Sequence, residues 1–458
     1  MRLLLLTALL ASCVAPQMVG DKLVPVRPNI VLVVIDDLGW TDLGCQGSLY
    51  YETPNIDRLA AEGLRFTDAY SCGPNCAPTR ASLLSGMDPP RHHVYSPGGK
   101  AKGAPRYMRL EVPARRSERE VVFPPSKTSL APAVVSLAEM LSAAGYSTAR
   151  LGKWHLGYEP QFNPLEHGWD DFFGYMGGNV HYFNHRELSD LHVLYRGRLP
   201  VYEEGYMTHL ITDSSLAFIE RNKDRPFFLF VSHETPHFPF QGPGDAKKLV
   251  DKTNWTEPDA KAYVTMLEDL DREVGRVLAT LKKHKLEKNT LVVFVSDNGG
   301  FARAANMGPL NGAKSTTLEG GIRVPLIMRW PGHIQPGTTS RQVCATFDLT
   351  FSILNLAGAG VPAKRLDGFD LVNHITGGKK DFERTLFWRG KRGERTWSAV
   401  RSGDLKYVRK VEGETSEWLF DLASDIGEKN DLSKSRPGDV KRLKKLLGDW
   451  EKDVRPLR

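Results

Sequence analysis

Cys76, Pro78 and Arg80 stand in a Cys-x-Pro-x-Arg spacing, and Ala81-Ser82-Leu83-Leu84-Ser85-Gly86 follows at once. The small and apolar residues after Thr79 predict a short helix with Cys76 at its start. Unpaired N–H groups and the helix dipole favour negative charge there, so the position suits a nucleophile, and Arg80, one turn on, can reach back to it. The competing reading is a small buried hydrophobe, the usual fate of a free cysteine. Asp36-Asp37 forms a second constellation. Adjacent carboxylates directly after a buried run repel each other unless a cation or helix terminus neutralises them; otherwise the pair is a solvated turn in which Asp37 caps the next segment. Asp297-Asn298 ends another apolar run, and Asp36, Asp37, Asp297 and Asn298 together offer only oxygen donors, which favours Ca²⁺ or Mg²⁺ over zinc. Lys153 and His155, two apart in a segment read as extended, point to one side. His237 closes Ser232-His233-Glu234-Thr235-Pro236-His237, in which His233 reads as a structural neighbour.

Such residues need a frame. The run Asn29-Ile30-Val31-Leu32-Val33-Val34-Ile35 has the unbroken apolar character of a strand covered on both faces. Thr148–Leu151, Pro226–Val231, Thr290–Val295 and Leu326–Trp330 repeat that character, and helical patterns over about 54–63, 136–144, 207–221 and 259–284 alternate with them. Alternation of this kind predicts an α/β fold, a large mostly parallel sheet sandwiched by helices. Ligands bind such sheets outside the carboxyl ends of the strands. Asp36-Asp37, Lys153/His155, His237 and Asp297-Asn298 each follow a different predicted strand, which defines one crevice that the Cys76 helix can also face. The stretch Gly174 to His185 reads as a polar, aromatic loop. Beyond Ala357, short strands at Arg384–Trp388, Trp397–Arg401, Leu405–Arg409 and Glu417–Phe420 predict a small antiparallel sheet, closed by a helix from about Asp439 to Val454.

With 458 residues, 41% hydrophobic and 25% charged, the chain suits one large domain and one appendage. The 61 Lys+Arg exceed the 54 Asp+Glu by 7, a mild excess that suits an anionic substrate. No Lys/Arg-rich helix with interleaved aromatics argues for nucleic acid. Met1-Arg2 and the apolar Leu3–Leu10 look like an export signal too short to span a membrane, and no other segment is apolar enough to span. Leu10-Ala11-Ser12-Cys13 reads as a lipobox that would lipidate Cys13, against ordinary cleavage nearby. The expected organisation is a signal over 1–15, a linker over 16–28, a catalytic domain over 29–365 and a C-terminal subdomain over 366–458. The protein would then be exported, periplasmic or at the cell surface. Between about 88 and 130, Arg106, Arg109, Arg115, Arg116 and Arg119 lie in a Pro- and Gly-punctuated excursion, a candidate wall of the substrate cleft.

The Cys76-x-Pro78-x-Arg80 core with Leu83-Leu84-x-Gly86 resembles the signature of the type I sulfatases of the alkaline-phosphatase-like superfamily, in which that Cys is oxidised to formylglycine. Asp297-Asn298-Gly299 agrees, since the phosphodiesterase and phosphonate hydrolase branches usually carry Asp-His-Gly there. The segment Leu419-Phe420-Asp421-Leu422 through Asn430-Asp431-Leu432 is similar to the family's closing motif, departing from it at Ile426 and Asp431. The resemblance implies one Ca²⁺, with Mg²⁺ as alternative, held by Asp36, Asp37, Asp297, Asn298 and the formylglycine made from Cys76. It implies that Arg80 and Lys153 hold the formylglycine, that His155 is the base of the last step, and that His237 and Lys314 face the sulfate and the leaving oxygen. The implied reaction is hydrolysis of a sulfate ester on a sulfated small molecule or glycan, a carbohydrate or an aryl sulfate. A formylglycine-generating or anaerobic sulfatase-maturating enzyme is the implied partner. Cys45, Cys72 and Cys344 then remain, an odd set from which no disulfide framework follows. A phosphodiesterase or phosphonate monoester hydrolase of the same superfamily, and a non-catalytic glycan-binding lipoprotein, are the alternatives.

Overall fold

All seven residues of β1 (Asn29–Ile35) are buried, because helices cover the strand on both faces. In the computed structural model it lies near the middle of a ten-stranded sheet. The structure describes residues 27–97, 125–360 and 366–454, with short strand segments at 17–19, 22–24, 111–112, 115–116 and 121–123. The signal segment with Cys13 lies outside the described residues, as do Arg106, Arg109 and Arg119; for Arg115 and Arg116 only a short strand is described. Within 16–28, Gln17–Val19 pairs antiparallel with Lys22–Val24.

After β1 come α1 (Pro54–Ala61), β2 (Leu64–Phe66), α2 (Cys76–Ser85), α3 (Leu137–Ala143), β3 (Ser147–Gly152), β4 (Asp171–Tyr175), β5 (Leu194–Arg196) and β6 (Leu199–Pro200). Then follow α4 (Met207–Asn222), β7 (Phe227–His233), α5 (Ala260–Lys283), β8 (Thr290–Ser296), β9 (Leu326–Arg329), β10 (Thr338–Ser340) and α6 (Thr346–Ala357). The sheet order is β6-β5-β4-β3-β7-β1-β8-β9-β2-β10. From β4 to β8 every pairing is parallel, and the antiparallel pairings lie towards the two edges. Register then does the positioning. His233 and Ser296 both pair with Ile35, and Gly152 pairs with Ser232, so the strands end level and the residues after them emerge side by side.

Side-chain alternation along the strands divides the core. Ile30, Leu32, Val34, Phe228, Phe230 and Val293 pack under α2, α3 and α6, whereas Val31, Val33, Leu229, Val231 and Phe294 pack under α1, α4 and α5. Ser136 caps α3 through a reciprocal box with Glu139, which anchors the helix leading into β3. One expectation needs correction: the stretch from Gly174 does not start as a loop, because Asp171–Tyr175 is strand β4. Its place beside β3 requires Gly174, where a Cβ would lie 1.9 Å from the Gly152 carbonyl oxygen.

The last part of the chain forms the antiparallel sheet β11 (Thr385–Arg392), β12 (Arg395–Ser402), β13 (Leu405–Glu412) and β14 (Glu414–Asp421), followed by α7 (Pro437–Val454). Val400, Tyr407 and Leu419 pack under Leu443, Leu447 and Trp450 of α7. The other face of the sheet, with Trp388, Ala399, Val408 and Phe420, packs on Tyr70 and Phe347.

Candidate active site

The level strand ends deliver their polar residues to one place. Asp36 and Asp37 follow β1, and the chain turns sharply there because Asp37 adopts a left-handed φ of 63°, which a short polar side chain tolerates. Asp297 and Asn298 follow β8, pinned by Asp297 N–H donating to the Ile35 carbonyl at 3.0 Å and by Gly299 N–H donating to the Gly321 carbonyl at 3.0 Å. Gly299 has no room for a side chain, since its Cβ would lie 1.8 Å from the Gly320 carbonyl oxygen. Helix α2 begins at Cys76, as the sequence predicts, behind Asn75 and with Gly86 as its left-handed stop. The structure thus brings together all ten residues singled out in the sequence: Asp36, Asp37, Cys76, Arg80, Lys153, His155, His237, Asp297, Asn298 and Lys314.

Each carboxylate of the cluster faces a cation. Arg80 binds Asp297 Oδ2 through Nε at 2.9 Å and Nη2 at 2.7 Å, Lys314 Nζ lies 2.6 Å from Asp37 Oδ1, and Lys153 Nζ pairs with Asp36 Oδ2. Lys314 Nζ is also 3.9 Å from Cys76 Sγ. Arg80 therefore does not reach back to Cys76 as expected; its guanidinium is held by Asp297, the Ser232 hydroxyl and the Lys153 carbonyl. The extended reading of Lys153 and His155 also fails. The backbone turns at Gly152 (φ 107°) and again at His155 (φ 60°), yet both side chains are buried in the cluster.

Burial pushes the Asp36 carboxyl up, but Lys153, His237, Arg80 and Lys314 outweigh it and hold the group well below the usual carboxylate range. Burial and the neighbouring Asp36 instead push Asp297 up, against the pull of Arg80. Burial, then Lys153 and Arg80, push His155 well below the usual imidazole range, and burial with Lys314 lowers His237 to about 3. Both histidines are therefore neutral at pH 7. His237 Nδ1–H donates to the Phe238 carbonyl at 2.7 Å, so Nε2, 3.5 Å from Asp37 Oδ2, is free to take a proton.

The donor set fits a hard cation. Asp36 Oδ1 and Asn298 Oδ1 are buried without a hydrogen-bond partner, and ligand atoms of Asp36, Cys76 and Asp297 lie within 4.8 Å of one another, as do those of Asp36, Asp37 and His237. Three neighbouring carboxylates, together with the two orphaned oxygens of Asp36 and Asn298, match the all-oxygen shell such an ion takes.

Several residues around the site were not singled out from the sequence. The Ser232 hydroxyl joins Arg80 to the Lys153 carbonyl, and the buried Arg150 donates to that carbonyl at 2.5 Å while its guanidinium lies 3.8 Å over the Phe230 ring. Glu234 is buried beside Asp36 and Tyr175, and burial pushes its carboxyl well above the usual carboxylate range. Their type and spacing carry no signal; only the ends of β3 and β7 give them a role. His233 is buried with neither ring nitrogen bonded and takes no part in the cluster.

Comparison with known proteins agrees with this geometry. The family model "Sulfatase" matches residues 28–359, and "N-sulphoglucosamine sulphohydrolase, C-terminal" matches residues 313–452. N-acetylgalactosamine-6-sulfatase of Canis lupus familiaris is 35% identical, over 83% of this chain and 72% of that protein. Arylsulfatase A of Homo sapiens is 34% identical, over 83% of this chain and 74% of its own length. The crystal structure of Ps i-CgsB superposes with a TM-score of 0.80 at 30% identity, covering 94% of each chain; it has also been solved in complex with k-i-k-neocarrahexaose.

Proposed function

The chain belongs to the sulfatase family and is a sulfuric ester hydrolase, and on that premise we propose that it removes sulfate from a sulfated glycan with Cys76, matured to formylglycine, as its nucleophile. The observation that carries the residue assignment is the juxtaposition of Cys76, at a helix N-terminus, with Lys314 and the Asp36–Asp37–Asp297–Asn298 group. Asp36, Asp37, Asp297, Asn298 and the modified Cys76 would hold one Ca²⁺, with Mg²⁺ as alternative, whose chemistry is to draw negative charge from the sulfate oxygens. Hydrated formylglycine carries two hydroxyls on one carbon, so one can attack sulfur while the other remains to expel sulfate and restore the aldehyde.

The remaining steps belong to side chains in place. Arg80 and Lys153, both fully buried, fix the carboxylates behind Cys76 and give the nucleophile a cationic surround. Lys314 stays charged because Asp37 and Cys76 outweigh its burial, and it neutralises charge moving onto the leaving oxygen. The incoming sulfate monoanion raises the proton affinity of His237, so that Nε2 takes up a proton from solvent and passes it to that oxygen as the S–O bond breaks. Neutral His155 takes the proton of the second hydroxyl. We further read 29–365 as the catalytic domain, 366–458 as its C-terminal subdomain and the protein as exported; among the described residues no helix is long and apolar enough to cross a membrane.

The test is co-expression with a formylglycine-generating enzyme, mass analysis of the peptide spanning Cys76, and sulfate release from N-acetylgalactosamine 6-sulfate and from 4-nitrophenyl sulfate. Formylglycine at Cys76 and release from the sugar are expected, and Cys76→Ala should lower kcat at least about a thousandfold without unfolding the protein. Free thiol at Cys76 in fully active enzyme would sink the nucleophile assignment.

A further inference from the structure

The hairpin β11–β12 of the C-terminal sheet lies over the turn that precedes the nucleophile. Trp388 Nε1–H donates to the Ser71 carbonyl at 2.8 Å, and Gly390 runs so close to Pro74 that a Cβ there would sit 2.6 Å from Pro74 Cγ. The Ser96 hydroxyl donates to the Lys391 carbonyl at 3.3 Å from the other side. The hairpin is thus held against residues 71–75, and at its tip Arg392 donates to Ser315 Oγ at 3.2 Å. Ser315 is itself fixed: its N–H donates to the Pro74 carbonyl at 2.7 Å and its hydroxyl to Asn75 Oδ1 at 2.8 Å. Its chain neighbours are the site, since Lys314 reaches Asp37 and Cys76, and Asn75 precedes Cys76.

Arg392 differs from the other arginines near this junction. Arg80, Arg323, Arg384 and Arg401 face carboxylates, whereas Arg392 is exposed, bonds a neutral hydroxyl and has no carboxylate partner among the described residues. Its guanidinium is tethered to Ser315 beside Lys314, and the fork geometry of a guanidinium matches a carboxylate or sulfate in two parallel hydrogen bonds. We propose that Arg392 is a specificity residue, contributed by the C-terminal sheet, that binds a second anionic group on the saccharide whose sulfate ester is cleaved. The proposal rests on the glycan-sulfatase reading above and deepens it. The ester sulfate would enter beside Cys76 and Lys314, and an anionic substituent on the same or the adjoining sugar would then face Arg392, tied to Ser315 one residue on.

The experiment compares wild type, Arg392→Ala and Arg392→Lys, all matured, on three probes: 4-nitrophenyl sulfate, N-acetylgalactosamine 6-sulfate, and the same 6-sulfated sugar linked to a uronic acid. For Arg392→Ala the ratio of kcat/KM on the uronate disaccharide to that on 4-nitrophenyl sulfate should fall about tenfold, mainly through KM, as expected for one charge-assisted contact at a partly wet rim. Arg392→Lys should recover part of the loss, and added salt should erode the wild-type preference for the disaccharide. An equal change on all three probes, or none on any, overturns the proposal while leaving the glycan reading intact. Wild-type turnover of the aryl sulfate with none of either sugar would overturn both.

Discussion

Single residues in this site were legible to the extent that their chemistry is rare. Cys-x-Pro-x-Arg, two adjacent aspartates after a buried strand and Asp-Asn-Gly after another cannot be placed casually, and the structure gathers all of them. Ser232, Glu234 and Arg150 were invisible because a serine, a glutamate or an arginine acquires a role here only from what packs beside it. The same distinction governs Asp297. Removing the carboxylate that holds Arg80 through both Nε and Nη2 strips a fully buried guanidinium of its ion-pair partner and would take an oxygen from the proposed cation shell. Asp297→Ala should therefore lose bound metal and reduce kcat by more than about a hundredfold, and chelation of the wild type should do the same reversibly, with Ca²⁺ restoring activity. Elemental analysis alongside turnover checks both. A variant that retains a full equivalent of metal would remove Asp297 from the shell.

At the scale of elements, pattern outperformed detail. Unbroken apolar runs identified β1, β7 and β8 because helices bury both faces of these strands, and their level ends explain why four sequence-distant clusters meet. The extended pairing of Lys153 with His155 was misread because nothing local announces that a histidine will adopt φ 60°. The imidazole is tightly packed there: Gly178, in the loop after β4, lies so close that a Cβ on it would be 2.7 Å from His155 Nε2. Gly178 has no left-handed φ, so a substitution there tests sterics alone. Gly178→Ala should push the imidazole out of line and lower kcat by roughly a hundredfold, as displacement of about 1 Å commonly does, with KM and thermal stability changed far less. Wild-type kcat in this variant would show that His155 has room to give, and would weaken its assignment as the base.

Across the whole molecule, the C-terminal sheet is more than an appendage, because it is bound to the site by buried charge. Lys406 of β13 lies 2.7 Å from Glu319 and 2.9 Å from Glu428, and Glu319 begins the turn whose Gly321 carbonyl accepts from Gly299 beside Asn298. Neither the pairing nor the depth of Glu428 could be read from the closing motif, which shows only the residue types. Buried charge also makes stability depend on pH in two opposed directions. Carboxyls raised by burial, Asp42 to about 6 and Asp88 to about 7, favour the folded state at low pH and lose that contribution as pH rises through those values. Buried histidines act the other way. His92, which burial and then His93 lower to about 3, is locked neutral: Nδ1 accepts from Val94 N–H at 3.2 Å, so Nε2–H must donate to Ser82 Oγ of α2 at 3.0 Å. Its folded pKa lies below the ordinary value of 6.5, so the unfolded chain takes up a proton first, and stability present above pH 6.5 is lost as pH falls towards 3. At pH 5 that loss amounts to about 2 kcal/mol. Because the raised carboxyls oppose it, only a difference between proteins isolates the effect. His92→Gln should be less stable than wild type at pH 7, by about 1–3 kcal/mol for the hydrogen bonds it strains, and this gap should shrink by about 2 kcal/mol at pH 5. Denaturant unfolding of both proteins at the two pH values measures it, and a gap that stays constant would mean that His92 titrates in the folded protein as it does in the unfolded chain.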